Sequence, residues 1–321
     1  MFQSCLYKID EKPYSCWEMD VRKRNIEFLD NIDPEYFMFQ SNLYEKELEG
    51  ENKHKAALAI RNIYHHAVET LFTLVGATIQ APFCVYAWMY QAQTGDIRNV
   101  IRKIRKSDPT LFNNIGLNKL NWETLSNKLF FVDNKESLNI ENQIKLAKQF
   151  ADVWYNLSGQ FLEDYPIKEH NAIKHGFRTA YGGHGLYIAP TKAKGQKKWL
   201  SLGASEFGSS FYVIKSLNIK PNYQSIKYFL NWSPILLLDV IKLVSISINN
   251  FANYLKMYNG SDPSKLPYKV PETDELFNNY WNHVANISQM SFDIDIRPEQ
   301  IDPFTAEEIH KYFADAKNIS K

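Results

Sequence analysis

The stretch from Thr70 to Gly95 carries no formal charge, in a chain of 321 residues of which 23% are charged. It is long enough to span a bilayer, but Thr73, Thr78, Gln80 and Pro82 interrupt it, and proline ends a helix interior. The segment therefore predicts a buried helical hairpin that turns at Pro82. Immediately upstream, Ala57, Ile60, Tyr64, Ala67, Val68, Leu71 and Val75 recur at helical spacing within Lys53 to Thr78. A helix that begins amphipathic and becomes apolar on all sides must be wrapped by other elements, so the chain is expected to build a helical core around it.

The remaining punctuation organises the chain as one mainly α domain. Residues 1–52, aromatic and broken by Pro13 and Pro34, read as an irregular capping segment. Residues 53–182 read as a helical bundle with helices near 53–80, 83–106, 139–163 and 167–181, the last two separated at Tyr165-Pro166. Gly182-Gly183-His184-Gly185 stops the last of these. Short β-forming runs at 186–189, 199–202 and 211–216 then predict an antiparallel meander inserted over 183–218. Residues 219–321 are expected to be helical. Ser233-Pro234 opens one helix that ends at Tyr258 before Asn259-Gly260, another lies near 273–289, and the capping-box pair Thr305 and Glu308 starts a third.

Composition excludes some functions. Hydrophobic residues at 45% suffice for a core, and 37 Lys plus Arg against 36 Asp plus Glu leave no global field to draw the chain onto nucleic acid. Cys5, Cys16 and Cys84 lack metal-ligand spacing, and the start lacks a leader pattern, so a reduced, cytoplasmic, membrane-free protein is expected.

Chemistry concentrates between His170 and Arg178. Continued as a helix, this segment sets Asn171, Lys174, His175 and Arg178 at i, i+3, i+4 and i+7 of one face, apart from the apolar Ile173, Phe177 and Tyr181. Two cations, an amide and an imidazole on one face suit an anion. The string Asn171-Ala172-Ile173-Lys174-His175-Gly176 resembles the motif of HEPN domains (higher eukaryote and prokaryote nucleotide-binding), which has an Arg, a polar residue, three variable residues and a His, often followed by Gly. His170 stands in place of the Arg, and Lys174 or Arg178 offers a cation instead. The resemblance covers about residues 53–182. It implies a helical bundle, often dimeric, and metal-independent ribonuclease activity in bacterial toxin–antitoxin or antiviral defence systems, with RNA and an antitoxin or other defence-system protein as partners. Chemically, His175 suits proton transfer and Arg178 and Lys174 suit phosphate. One helix offers one such set, so a homodimer is expected to complete the site.

A second stripe, Arg61-Asn62-Ile63-Tyr64-His65-His66, fits the same pattern with its Arg, and Arg61, His65 and Glu69 share a face. Its plainer reading is a hydrogen-bonded polar stripe, although the two helices are free to face each other across one pocket. Glu51, His54, His65, His66, Glu69, Glu169, His170 and His175 offer metal ligands, but in this region only one unit, Glu51 and His54, has Glu-x-x-His spacing, where a di-iron bundle needs two such units. Chemistry without metal or cofactor is expected, and a metal site in the His/Glu cluster is the alternative. Arg98, Arg102, Lys103, Arg105 and Lys106 form one basic run, and Lys192, Lys194, Lys197 and Lys198 form another beside Trp199. Both are nucleic-acid-binding candidates. Set against the enzyme is a non-enzymatic helical dimerisation or sensor module.

Overall fold

The computed structural model of the chain describes residues 3–131, 140–175, 178–188, 200–216, 223–296 and 305–319. A hairpin of β1 (Gln3–Ile9) and β2 (Lys12–Glu18) precedes α1 (Val21–Asp30), α2 (Tyr36–Glu45), α3 (Lys53–Gln80), α4 (Val85–Gln91), α5 (Thr94–Arg105), α6 (Trp122–Phe130), α7 (Ile140–Leu162) and α8 (Asp164–Lys174). The strands β3 (Thr179–Tyr181), β4 (Gly185–Ile188), β5 (Leu200–Ala204), β6 (Gly208–Ser216) and β7 (Tyr223–Asn231) follow. The long α9 (Pro234–Tyr258), α10 (Glu275–Asn286), β8 (Ser288–Ile296) and α11 (Ala306–Ile319) complete the described chain, which is mainly helical.

The charge-free stretch lies where burial is greatest. From Leu74 to Gln80 every residue of α3 is buried, and α3 packs lengthwise against α9. The buried Thr78 and Gln80 side chains at this end of α3 have partners, as low-dielectric burial demands. Thr78 Oγ1 donates to the Leu74 carbonyl at 2.7 Å. Gln80 accepts the Asp10 N–H at 2.9 Å and donates to the Asp10 carbonyl at 3.1 Å, which ties the hairpin turn to the end of α3. The Pro82 carbonyl, at the predicted turn, accepts from Asn25 at 3.1 Å and Asn259 at 2.9 Å. Gly76 lets the two arms approach closely, for a Cβ there would lie 2.5 Å from the Trp88 ring. Among the described residues the helix long and apolar enough to cross a membrane is α9, and 67% of its apolar window is buried inside the fold. Its bounds match the Ser233-Pro234 and Asn259-Gly260 signals, with Ser233 accepting the Leu236 N–H.

Three expectations are corrected. The capping segment is not irregular at its start: Cys5, Tyr7, Ile9, Tyr14 and Cys16 turn inward while Leu6 and Trp17 stay exposed, a period-two pattern that forms the β1–β2 hairpin. There Cys84 Sγ lies 3.0 Å from Cys5 Sγ. The β structure is not a meander confined to 183–218, and residues 219–321 are not all helical. A four-stranded antiparallel sheet runs β3-β6-β7-β8, with α9 and α10 intervening in sequence between its last two strands, and β4–β5 form a separate pair. Its buried face carries Phe211, Ile226, Tyr228 and Leu230, and β6 contacts both α3 and α8. Finally, α8 ends at Lys174, not near Tyr181. His175 is its C-cap, the Arg178 N–H bonds back to the Ala172 carbonyl, and Thr179–Tyr181 pair with β6. Strand pairing has overridden the local helical phase.

Candidate functional site

Glu169 sits on the buried seam of α8, four residues before Ile173, and is itself fully buried. Helical spacing on α3 stacks Arg61 and His65 one turn apart on the face that meets it. Glu169 Oε2 accepts from Arg61 Nε at 2.9 Å, Arg61 Nη2 at 2.8 Å and His65 Nε2 at 3.0 Å. Its Oε1 accepts from Ser209 Oγ on β6 and from Trp232 Nε1 at 3.2 Å. Five donors saturate a carboxylate with about four lone-pair positions. Burial alone would raise the Glu169 pKa, but Arg61 and His65 hold it below the usual carboxylate range. Burial, then Arg61, lowers the His65 pKa against the pull of Glu169. His65 is therefore a neutral donor beside a buried Arg⁺–Glu⁻ pair, and the cluster has no net charge.

Outward from this hub lies a more accessible group. The His170 ring stacks on His65 with centroids 5.0 Å apart and meets His66 edge-on at 5.2 Å. Its Nδ1 is 4.0 Å from Glu69 Oε2, and Thr94 donates to the other Glu69 oxygen at 3.2 Å. Burial and the neighbouring His65 and His66 push the His170 pKa down to about 3, so its ring is uncharged at neutral pH. His66 and Lys174 are exposed. Partial shielding lowers the His66 pKa, Glu69 opposes this, and Lys174 adds to it. A cavity of about 30 Å³, room for roughly one water, lies among His65, Glu69, Arg98, Phe161 and His170. His170 Nε2 and Arg98 Nε are buried without a partner among the described residues. Two wider grooves, of about 620 Å³ beside Asp239 and Lys269 and about 630 Å³ beside Arg24 and Tyr90, contain no histidine.

No family model, curated protein or solved structure is significantly similar to this chain. The site is thus read from its own geometry.

The structure brings α3 and α8 together, but through Glu169 and His170 and not through His175. Asn171, Lys174, His175 and Arg178 are all exposed, and Arg178, beyond the helix end, does not continue a helical stripe with the other three. Of that group Lys174 stands near His66 and His170. Arg61 and His65 belong to the hub, while His66 and Glu69 belong to the rim.

The first basic run disperses around α5. Arg98 turns toward the Phe161 ring at 5.6 Å. Arg102 donates to Asn99, Lys103 pairs with Asp10 and Glu11, and Arg105 lies 4.0 Å over the Tyr155 ring and donates to Ser158. Lys106 is exposed. The second run, Lys192, Lys194, Lys197 and Lys198, lies outside the described residues. Among the described residues no group of three or more His, Cys, Asp or Glu side chains is placed to hold a metal ion, and His54 instead stacks on Tyr181 with centroids 6.4 Å apart. Sequence reasoning missed Ser209, Trp232 and Gln160, and treated Glu169 only as a possible metal ligand. Glu169 had a signal, for a carboxylate four residues before Ile173 falls on the apolar seam.

Proposed function

We propose that this protein acts on RNA, as a metal-independent ribonuclease or an RNA-binding relative of HEPN proteins in a bacterial defence or toxin–antitoxin system, through the rim of the α3–α8 junction. The observation that carries the reading is an exposed imidazole, His66, braced edge-on by the neutral His170 ring and flanked by Glu69 and Lys174. His66 takes the 2′-hydroxyl proton, and Lys174 and Arg98 meet the phosphoryl oxygens as the 2′-oxygen attacks phosphorus. His170 is a positioning residue, and Arg61 is structural because Glu169 holds it. His66 of a second copy, across a two-fold axis, would protonate the leaving oxygen, which keeps a homodimer in the proposal.

The test is cleavage of labelled single-stranded RNA in chelator. His66→Ala should lower the rate by about 10²–10⁴-fold with an unchanged melting temperature, whereas His175→Ala should not. Equal cleavage by wild type and His66→Ala, or none by wild type, overturns the enzymatic reading. A second reading, a non-enzymatic dimerisation or sensor module, is favoured by the saturation of Glu169 and by the small cavity beside His170. It predicts no cleavage and no loss of partner binding in His66→Ala.

A further inference from the structure

The guanidinium of Arg61 is only 3% exposed, and two of its three nitrogens bond Glu169. Nε and Nη2 lie along one edge of the fork, so Nη1 projects from the opposite edge, and Nη1 is buried without a partner among the described residues. A buried charged donor left unsatisfied is costly. Arg61 also lines a cavity of about 320 Å³, within the range of small-molecule sites. This cavity is distinct from the small one beside His170, and Tyr64, Gln160 and Pro166 line both. The Tyr64 hydroxyl donates to Gln160 at 2.8 Å.

The walls have the character of a heterocycle site. Tyr155 is a flat plate made rigid from one side by the Arg105 guanidinium 4.0 Å from its centroid. Leu230, Val284 and Ile287 supply apolar contact, and the Glu163 carboxylate and the Gln289 amide stand on the lining. With Arg61 neutralised by Glu169, the lining charges Arg105 and Glu163 cancel, so a neutral ligand fits better than a free anion. Nη1 is closed off from the cavity, with the Tyr64 and Trp232 rings 4.9 and 5.5 Å from the guanidinium, so a ligand reaches it through a small side-chain shift. The ligand must then present a hydrogen-bond acceptor to Nη1 and donors to Glu163. Guanine has both on one edge, where O6 accepts beside the adjacent N1–H and N2–H₂ donors that suit a carboxylate.

We infer that this cavity is a nucleobase subsite selective for guanine, adjoining the rim where the phosphodiester would sit. The inference rests on the RNA reading for its biological context, though not for its test. Guanosine, adenosine, cytidine and uridine are titrated into the full chain by ligand-observed NMR and calorimetry. Guanosine should bind tightest. Glu163→Gln, at an exposed position, should weaken guanosine by about ten- to a hundredfold, the range of one hydrogen bond to a charged group. Gln289→Trp, also exposed, should block binding by filling the mouth, with circular dichroism confirming that both variants fold. Failure of guanosine to bind folded wild type at its solubility limit, tighter binding of another nucleoside, or unaltered binding in Gln289→Trp each overturns the assignment. Nucleosides carry no phosphate, so the two readings separate. Guanosine binding without RNA cleavage leaves the subsite standing and removes the nuclease, whereas cleavage without guanosine binding removes the subsite alone.

Discussion

Replacing Glu169 by glutamine changes one atom at the centre of the α3–α8–β6 junction. The variant leaves Arg61 charged, 3% exposed and without its counter-ion. It also sets an amide NH₂ among neighbours of which Arg61 and Trp232 can only donate, so that Ser209 or His65 must turn from donor to acceptor. Breaking a buried ion pair by removing one partner costs about 3–5 kcal/mol. At about 2.1 cal/mol/K of unfolding entropy per residue, a chain of this length has about 0.7 kcal/mol/K, so the melting temperature should fall by roughly 4–7 °C. The same loss should appear as a lower urea midpoint at constant m-value. Glu169 is held below its unfolded value of 4.5. Its contribution is therefore fully present above pH 4.5 and lost as the pH falls toward the depressed folded value. That part of the acid limb should be missing in Glu169→Gln. Adding Arg61→Met should recover stability relative to the sum of the single losses, because the orphaned charge is gone. A Glu169→Gln chain within about 0.5 kcal/mol of wild type, the scatter of neutral surface changes, would refute the account of the hub.

Other perturbations probe the packing. His283 is 1% exposed, has no partner on either ring nitrogen among the described residues, and meets Tyr64 edge-on at 6.2 Å. Burial, then Arg61, holds its pKa down to about 3. Its unfolded form takes a proton below about pH 6.5 while its folded form does not, so stability falls with pH from 6.5 toward 3. His283→Phe should stabilise by about 1–2 kcal/mol by removing unsatisfied polar atoms and should flatten that slope in urea titrations between pH 7 and 4; an unchanged slope would contradict the assignment. Gly76→Ala, favourable in an ordinary helix interior, should cost about 1–3 kcal/mol here because the new methyl meets Trp88, read as a lower thermal midpoint. The Cys5 and Cys84 thiols should close to a disulfide when diamide takes their two hydrogens, leaving Cys16 alkylatable. Peptide mapping that finds another pair, or none, would contradict the packing of the hairpin on α4.

The elements most legible in the sequence are those specified by local signals. The ends of α9 follow from a Ser-Pro start and an Asn-Gly stop, and the end of α3 from Pro82, because caps and breakers act within a turn of the helix. The Thr305–Glu308 capping box is likewise present, with the Glu308 N–H bonded to Thr305 Oγ1 at 3.2 Å. The sheet was less legible because β8 reaches its partner only after two helices have intervened, and no local pattern encodes that return. The same non-local pairing ended α8 before Arg178 could join Lys174 on one face. At α5, five basic residues close in sequence point in different directions because each step turns the helix by about 100°. The candidate site was half visible. Arg61, His65, His66 and Glu69 announced a stripe, but its counterpart was the carboxylate hidden on an apolar seam, and its lid came from β6 and Trp232.

The origin of Glu169's last two hydrogen bonds bears on how the protein is born. Arg61, His65 and Glu169 leave the ribosome well before Ser209 and Trp232, so the nascent helices can meet while one carboxylate oxygen still depends on water. The junction becomes dry only after β7 has been translated, and the sheet beside it is finished only when β8 arrives. A ribosome-bound or prematurely terminated chain that stops near residue 182 would carry Arg61, His65 and Glu169 without the Ser209 and Trp232 donors that complete the carboxylate's shell, so the packed junction can close only after Trp232 has been made.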